Sequence, residues 1–263
     1  MIESGVGNSA MLSQARADFE LLKSNPIEYK TKVNRISDLL NAKFVDDYPP
    51  AYFVGDYADG RCKDVVFGLN PGFNAKRDRQ QRIENFESWE DYLKFLKGFF
   101  DTFKKETATV PFYRYLSKLF GGISHVELNE WPRRWNFFQA NLVTLNLIPY
   151  HSKGYKFPSR LGDEQRKYLN DRLKSNLDFL KRVNRVKKLR SVVFNGKIYC
   201  ILRDEWLENR RPLNKRLNMY LFEYGGIPCI LFDKFIPSPA AGVSYEELQD
   251  AASKFNDWIS SRE

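Results

Sequence analysis

The chain has 263 residues, a formal net charge of +9 at pH 7 and a hydrophobic fraction of 43%. This length fits one large α/β domain or two small ones, and the apolar content is ample for a core. No apolar run approaches the roughly 20 residues that span a bilayer, and the first residues lack the basic and apolar regions of a signal peptide. We therefore expect a cytoplasmic protein without membrane association. The excess of positive charge favours a polyanionic partner, because basic side chains displace counterions from phosphates.

The three cysteines, Cys62, Cys200 and Cys229, are far apart and have neither a Cys-x-x-Cys pair nor a histidine cluster nearby. This spacing argues against a structural zinc ion or an iron–sulfur cluster. It predicts three buried, reduced thiols. We expect no cofactor and no metal ion.

Two amphipathic helices are predicted at the N-terminus. Apolar residues recur at helical spacing over residues 9–24, and Asn25-Pro26 interrupts the pattern. A second periodic segment covers residues 29–40. Residues 51–57 are then a candidate for a short strand or an extended arm.

Strands and helices alternate along the rest of the chain, which predicts an α/β fold. Helices are expected from Ser88, from Pro111 with Gly121-Gly122 as the stop, over residues 163–182, and after a capping box of Ser244 and Glu247. The predicted core strands, which are short and rich in branched residues, are 63–67, 139–148, 191–195 and 228–232, with 219–224 as a candidate edge strand.

The loop after the first core strand reads Gly68-Leu69-Asn70-Pro71-Gly72-Phe73-Asn74. In α/β sheets, ligands collect at such loops because the loops converge outside the carboxyl ends of the strands. A strand that ends in a tight turn is the alternative explanation of the glycines and the proline.

This loop resembles the first motif of the uracil-DNA glycosylase superfamily, and it is closest to the Gly-x-Asn-Pro-Gly form of the mismatch-specific and single-strand-selective branches. Two further motifs have counterparts in the matching order. An asparagine on or after the second strand is represented by Asn141 or Asn146, and a Pro-Ser loop after the last strand by Ile236-Pro237-Ser238-Pro239. The resemblance covers residues 63 to about 245.

The resemblance implies a three-layer α/β/α sandwich around a central, mostly parallel four-stranded sheet. We expect residues 51–263 to form this glycosylase-like domain, and residues 1–50 to form a helical extension packed on it. The implied activity is that of a monofunctional DNA glycosylase, which hydrolyses the N-glycosidic bond of a flipped base and leaves an abasic site.

This reaction passes through an oxocarbenium-like sugar, so the enzyme must place a water below C1′ and stabilise the departing base. The resemblance implies that Asn70 holds this water through its side-chain carbonyl. An amide is not a base at pH 7, which predicts a slower enzyme than one with an aspartate there. The alternative role of Asn70 is an Asx-turn that caps the Pro-Gly loop.

Gly72 stands where the classical uracil-specific branch has a tyrosine that blocks the 5-position of the pyrimidine. Glycine has no side chain to block that position, so a 5-substituted pyrimidine, as in phage-modified DNA, or another bulky base could enter.

Phe73 is a candidate either for stacking on the flipped base or for the core. Asn141 and Asn146 are candidates either for reading the base edge or for buried structural amides. The remaining candidates for base binding are Gly68, Leu69 and Pro71.

His151 lies in a loop after the second core strand. Ile236 occupies the place of the histidine that stabilises the leaving base in the classical pattern, so His151 or backbone N–H groups would have to supply this stabilisation. A loop histidine with a local hydrogen bond is the alternative.

The candidates for DNA binding, which can equally be solvated loop residues, are Lys76, Arg77, Ser152, Lys197, Pro237, Ser238 and Pro239.

We therefore expect a monomeric base-excision enzyme that acts on DNA, in repair or in antiviral defence. Single-stranded or distorted DNA is favoured, because Ala240 and Ala241 are small where many relatives insert a bulky wedge. A catalytically weak or inactive DNA-binding member of the same fold is the alternative. An unrelated nucleotide hydrolase would need a Gly-x-x-x-x-Gly-Lys-Ser/Thr loop or a cluster of carboxylates, and neither is evident in the sequence.

Overall fold

The computed structural model describes residues 9–58, 62–72, 78–102, 111–154, 160–202, 219–232 and 243–262, without the side chains of residues 197, 200 and 201. This part of the chain is an α/β protein with a mixed six-stranded sheet. Within these ranges, no helix combines the length and the apolarity needed to cross a bilayer.

The two predicted N-terminal helices are confirmed as α1 (Ala10–Ser24) and α2 (Pro26–Leu40). A single residue, Asn25, separates them and serves both. Its N–H donates to the Leu21 carbonyl at the end of α1, and its side chain accepts from the Glu28 N–H at the start of α2. Pro26 suits the first turn of α2, because the N–H that proline lacks would have no partner there.

The sheet has the strand order β1-β3-β2-β4-β6-β5. Its strands are β1 (Phe53–Val54), β2 (Asp64–Gly68), β3 (Leu142–Asn146), β4 (Ser191–Asn195), β5 (Met219–Tyr224) and β6 (Ile227–Phe232). β4 pairs in parallel with both β2 and β6, and β5 pairs antiparallel with β6. The four predicted core strands are thus neighbours in the sheet, and β1 and β5 extend it to six strands.

The hairpin between β5 and β6 is closed by Gly225 and Gly226, whose φ angles are 60° and 79°. A two-residue hairpin turn needs positive φ values, which glycine adopts without steric cost. This turn explains why the last core strand gains an antiparallel neighbour.

The other helices are α3 (Trp89–Lys97), α4 (Phe99–Thr102), α5 (Pro111–Ser124), α6 (Trp131–Asn141), α7 (Asp163–Lys187), α8 (Lys197–Leu202) and α9 (Tyr245–Ser260). The predicted capping box is confirmed at the start of α9. The Ser244 N–H donates to the Glu247 carboxylate at 2.7 Å, and the Glu247 N–H donates to the Ser244 hydroxyl at 3.1 Å.

Three predicted boundaries are wrong. Residues 139–141, predicted as the start of a strand, form the last turn of α6, because the aromatic residues before them bury a helical face. The predicted stop at Gly121-Gly122 is absent, and α5 continues to Ser124. The helix predicted over residues 163–182 runs five residues further, to Lys187.

The chain forms two compact units that interleave in sequence. Unit 1 comprises Met1–Val54, Gly68–Lys97 and Leu145–Val186, and unit 2 comprises Gly55–Phe67, Gly98–Thr144 and Lys187–Glu263. The segment predicted as an N-terminal extension is therefore part of unit 1. Its predicted boundary near residue 50 stays a prediction.

Unit 2 holds two of the three cysteines in the buried, free state that their spacing predicts, namely Cys62 and Cys229. Burial raises the pKa of the Cys229 thiol. The side chain of Cys200 lies outside the described atoms. Unit 2 also buries Asp64, which accepts hydrogen bonds from Ser191 at 2.7 Å and Arg190 at 3.1 Å.

Candidate functional site

Two segments of unit 1 run side by side at the ends of β2 and β3. The first is the Asn-Pro-Gly loop, residues 68–72, and the second is residues 147–152, which we call the partner segment. Three backbone hydrogen bonds join them: Leu147 N–H to the Gly68 carbonyl at 3.0 Å, Ile148 N–H to the Leu69 carbonyl at 2.8 Å, and Ser152 N–H to the Pro71 carbonyl at 3.1 Å. The predicted candidates Gly68, Leu69 and Pro71 therefore hold the loop in place through their carbonyl oxygens.

Asn70 is half-buried, and three acceptors surround its side-chain nitrogen. Nδ2 donates to the Ser152 hydroxyl at 2.7 Å, to the Pro71 carbonyl at 3.1 Å and to the Tyr150 carbonyl at 3.3 Å. Only a donor is compatible with two carbonyl oxygens at this distance, so the network sets the orientation of the amide.

The Asn70 carbonyl oxygen accepts no hydrogen bond from the described part of the chain. An Asx-turn would require this oxygen to accept from a backbone N–H two residues further on. Asn70 is instead fixed through its nitrogen, and none of the described residues competes with a water or a ligand for its oxygen.

Gly72 is exposed, and a Cβ atom at this position would meet no atom within 4 Å. Its backbone forms a parallel bridge with Ser152, which keeps it beside Asn70. A methyl group therefore has room at this exposed position, and the role of Gly72 in admitting a bulky base stays a prediction.

Asn146 ends β3 and is 5% exposed. Its side-chain nitrogen donates to the Ala51 carbonyl at 2.8 Å, and its backbone carbonyl accepts from the Asn176 side-chain nitrogen at 3.1 Å. Asn141 lies in unit 2, at the end of α6, and donates to the Phe137 carbonyl at 3.0 Å. Each amide thus donates one hydrogen bond within the fold, and a role of either in reading a base edge stays a prediction.

His151 is 2% exposed, and its ring lies 6.0 Å from that of Tyr48. The Tyr48 hydroxyl accepts from Arg82 Nε at 3.2 Å, and Arg82 itself is half-exposed. The backbone carbonyl of His151 accepts from the Val45 N–H at 2.9 Å. The histidine thus lies next to Ser152 but inside the protein, and its role with a leaving base stays a prediction.

A buried carboxylate that the sequence reading missed lies in the same unit. Asp18 of α1 is 1% exposed and accepts hydrogen bonds from the hydroxyls of Tyr52 at 2.7 Å and Tyr150 at 3.2 Å. Burial raises the pKa of both tyrosines well above its usual value, and the negative charge of Asp18 raises both further. Asp18 lies on the apolar face of α1 with Ala15 and Leu22, and this helical spacing is the signal that could have revealed it.

Several of the predicted site residues lie outside the part of the chain that the structure describes. Phe73, Lys76, Arg77, Pro237, Ser238 and Pro239 lie outside the described residues. Lys197 begins α8, but its side chain is not among the described atoms. Among the described residues, no group of His, Cys, Asp and Glu side chains could hold a metal ion.

Comparison with known proteins adds no assignment to this geometry. The sequence matches no protein-family model, and no curated protein is significantly similar to it.

Proposed function

We propose that this chain is a monofunctional DNA glycosylase that removes a damaged or modified base and leaves an abasic site. The observation that carries the proposal is the amide of Asn70. Its nitrogen is held by three acceptors, and its carbonyl oxygen accepts no hydrogen bond from the described residues. That arrangement suits a side chain that orients a water molecule without removing its proton.

In the proposed reaction, Asn70 accepts a hydrogen bond from a water and directs the oxygen lone pair of that water toward C1′. The N-glycosidic bond breaks with development of positive charge on the sugar, and the water adds to C1′ and releases its proton to bulk solvent. The electron pair of the broken bond leaves with the base. Backbone N–H groups or His151 would stabilise that charge, since Ile236 offers no donor through its side chain.

The proposed substrates are bases too large for a classical uracil pocket. Gly72 supports this choice, because glycine carries no side chain that could act as the blocking tyrosine, and a Cβ at this position would meet no atom of the described residues within 4 Å. Modified pyrimidines of phage DNA, which would make the enzyme part of antiviral defence, and hypoxanthine, which would place it in repair, are both included. The proposed DNA is single-stranded or distorted, and the enzyme acts as a monomer in the cytoplasm.

The finer fold assignment belongs to the same proposal. A three-layer α/β/α sandwich with a mostly parallel four-stranded centre is supported by the adjacency of β3, β2, β4 and β6 in the sheet. The parallel pairing of β4 with β2 and with β6 supports it further.

The test uses oligonucleotides, single-stranded and duplex, that each carry one uracil, 5-substituted pyrimidine or hypoxanthine. After incubation with the purified protein, alkali converts each abasic site into a strand break. We expect breaks at one or more of the bulky bases, and their loss in Asn70→Ala. The control is Asn34→Ala, because Asn34 is exposed on α2 and far along the chain from the loop. Intact strands with every substrate would overturn the proposal.

The alternative is a member of the same fold that binds DNA without cleaving it. The burial of His151 and the apolar Ile236 favour it, because both leave the departing base without an obvious side-chain donor. Asn70→Ala distinguishes the two functions. An enzyme loses turnover and keeps binding, whereas a binding protein has no turnover to lose.

A further inference from the structure

The partner segment carries the acceptors that orient Asn70, and the N-terminal part of unit 1 holds this segment at four consecutive residues. Pro149 accepts from the Ala51 N–H at 2.9 Å, and His151 accepts from the Val45 N–H at 2.9 Å. Ser152 forms an antiparallel bridge with Phe44. The remaining residue, Tyr150, is held through its side chain.

Tyr150 is 2% exposed, and three N-terminal residues contact its side chain. Its ring lies 6.4 Å from that of Tyr29 and 6.0 Å from that of Phe44. Its hydroxyl donates to Asp18 Oδ2 at 3.2 Å. Aromatic packing at these distances restricts where the ring lies, and the hydrogen bond sets how far the side chain extends into the core.

The Asp18 carboxylate has as many donors as it has lone-pair directions. Tyr52 and Tyr150 donate to Oδ2, while Gln14 donates to Oδ1 at 2.7 Å and Lys32 forms an ion pair with the same oxygen. A carboxylate accepts about four hydrogen bonds, so this one is saturated. A buried charge that is fully hydrogen-bonded fixes its neighbours, because any displacement leaves a charged atom without a partner.

We propose that Asp18 is a positioning residue for Asn70, acting through Tyr150. The route is short: Asp18 accepts from the Tyr150 hydroxyl, and the Tyr150 carbonyl accepts from the Asn70 amide at 3.3 Å. The helical segment before residue 51, which the glycosylase resemblance does not cover, is thereby part of the site. The inference rests on the function proposed above for Asn70.

The first experiment compares two tyrosines that donate to the same oxygen. Tyr150→Phe and Tyr52→Phe each remove one buried hydroxyl, but only Tyr150 also contacts Asn70. We expect Tyr150→Phe to lower the single-turnover cleavage rate by about 10-fold or more, with DNA binding unchanged. Because Tyr52 makes the shorter of the two bonds to Asp18, Tyr52→Phe should lose at least as much stability as Tyr150→Phe. It leaves the Tyr150 hydroxyl on Asp18 Oδ2, however, and should keep the rate within about 3-fold of wild type. Equal losses of rate in the two variants would overturn the proposal.

A mutant cycle tests whether Asp18 acts through Tyr150. Asp18→Asn and Tyr150→Phe should each slow cleavage by about 10-fold, and the double variant should be no slower than about 10-fold in total. Rate losses that multiply to about 100-fold would show independent effects and would contradict the route. Thermal unfolding of each variant establishes that the chain is folded at the assay temperature.

A readout independent of cleavage separates failure of this inference from failure of the proposed function. In an NMR spectrum of ¹⁵N-labelled protein, the side-chain NH₂ signals of Asn70 are identified by their loss in Asn70→Ala. We expect these signals to shift and to exchange faster with water in Tyr150→Phe and Asp18→Asn, but not in Tyr52→Phe. Unchanged signals in Tyr150→Phe overturn the inference whether or not the wild-type protein cleaves DNA. If wild type cleaves nothing, the proposed function fails, and shifted signals alone support the positioning role.

Discussion

At the residue scale, the surroundings of position 70 are suited to an amide and not to a carboxylate. The Pro71 and Tyr150 carbonyl oxygens lie 3.1 and 3.3 Å from the Asn70 nitrogen. An aspartate would place a second oxygen there, and only its protonated form could donate to them. Asn70→Asp should therefore destabilise the protein by about 1–3 kcal/mol at neutral pH.

The same change should make stability depend on pH. The two carbonyls favour the protonated carboxyl, so the folded-state pKa of the new aspartate should lie above its unfolded value. Its contribution to stability is then fully present below the unfolded pKa of about 3.9 and is lost as pH rises through the folded pKa. Urea unfolding at pH 4 and pH 7 measures this difference. Asn34→Asp, on an exposed helical face, is the control, and equal pH dependence in both variants would contradict the argument.

Gly72 gives the second prediction at this scale. A side chain can start at this position without a clash, because no atom of the described residues lies within 4 Å of where its Cβ would be. Gly72→Tyr should therefore fold normally and abolish cleavage at 5-substituted bases, while uracil is affected less. Gly72→Ala is the control, since a methyl group is too short to block the 5-position. The measurement is the ratio of cleavage rates on the two bases, and an unchanged ratio in Gly72→Tyr would place Gly72 outside the base pocket.

At the scale of elements, the packing of α5 against α9 depends on a small residue on each helix. A Cβ at Gly122 would lie 2.6 Å from the Ala252 Cβ, closer than side-chain carbons approach. Gly122→Ala should gain helix propensity but lose more from overpacking, for a net loss of about 1–2 kcal/mol.

A double variant isolates this contact. Ala252→Gly removes the opposing methyl group, so Gly122→Ala with Ala252→Gly should be more stable than the two single losses together predict. We expect a coupling free energy of about 1 kcal/mol or more from denaturant unfolding. Strict additivity would mean that the helices separate to admit the methyl group at no cost.

Local patterns were sufficient to predict most of these elements. The Ser244–Glu247 capping box, the Asn25-Pro26 break and the four apolar strand segments are each coded within a few residues. The wrong predictions concern features that depend on contacts between residues far apart in the sequence. Gly121-Gly122 continue a helix because α9 approaches it closely, and that neighbour lies more than a hundred residues away in the sequence.

The site divides in the same way. The placement of Asn70 beside Gly72 follows from one short loop, and the sequence was enough to select both. Asn70, its acceptors at Tyr150 and Ser152, and the buried Asp18 behind them come from three separate segments of unit 1. No local pattern joins these segments, so a single sequence could not have assigned the contacts.

At the scale of the whole molecule, burial of tyrosine hydroxyls predicts that the free energy of unfolding falls at alkaline pH. Burial raises the pKa of Tyr29, Tyr52, Tyr92 and Tyr150 in unit 1 and of Tyr199 in unit 2. Each contribution to stability is present below the unfolded pKa of about 10 and is lost as pH rises above it.

Denaturant unfolding at pH 8, 10 and 11 should therefore show stability falling steeply above about pH 10. Replacing one of these residues should flatten the fall by about 1.4 kcal/mol per pH unit, and Tyr92→Phe is suitable because its hydroxyl makes a single hydrogen bond, at 3.3 Å. Stability that stays constant from pH 8 to 11 would mean that these hydroxyls ionise equally well in the folded protein.

Net charge gives the last prediction. With a charge of +9, the protein should bind DNA with an affinity that falls by about 10-fold or more between roughly 50 and 200 mM salt. Fluorescence anisotropy of a labelled oligonucleotide measures this dependence. An uncharged peptide nucleic acid of the same sequence is the control, and its binding should be far weaker. A DNA affinity that does not change with salt concentration would argue against a protein surface that contacts phosphates.

The interleaving of the two units has a consequence for synthesis on the ribosome. The last segment of unit 1 ends at Val186, whereas the last segment of unit 2 ends at Glu263. Translation proceeds from the N-terminus, so the half of the protein that contains Asp18, Asn70 and Tyr150 has all its parts available first. Until then, the early helices emerge without the strand ends that they will hold, and their apolar faces are the surfaces that a nascent-chain chaperone would need to shield.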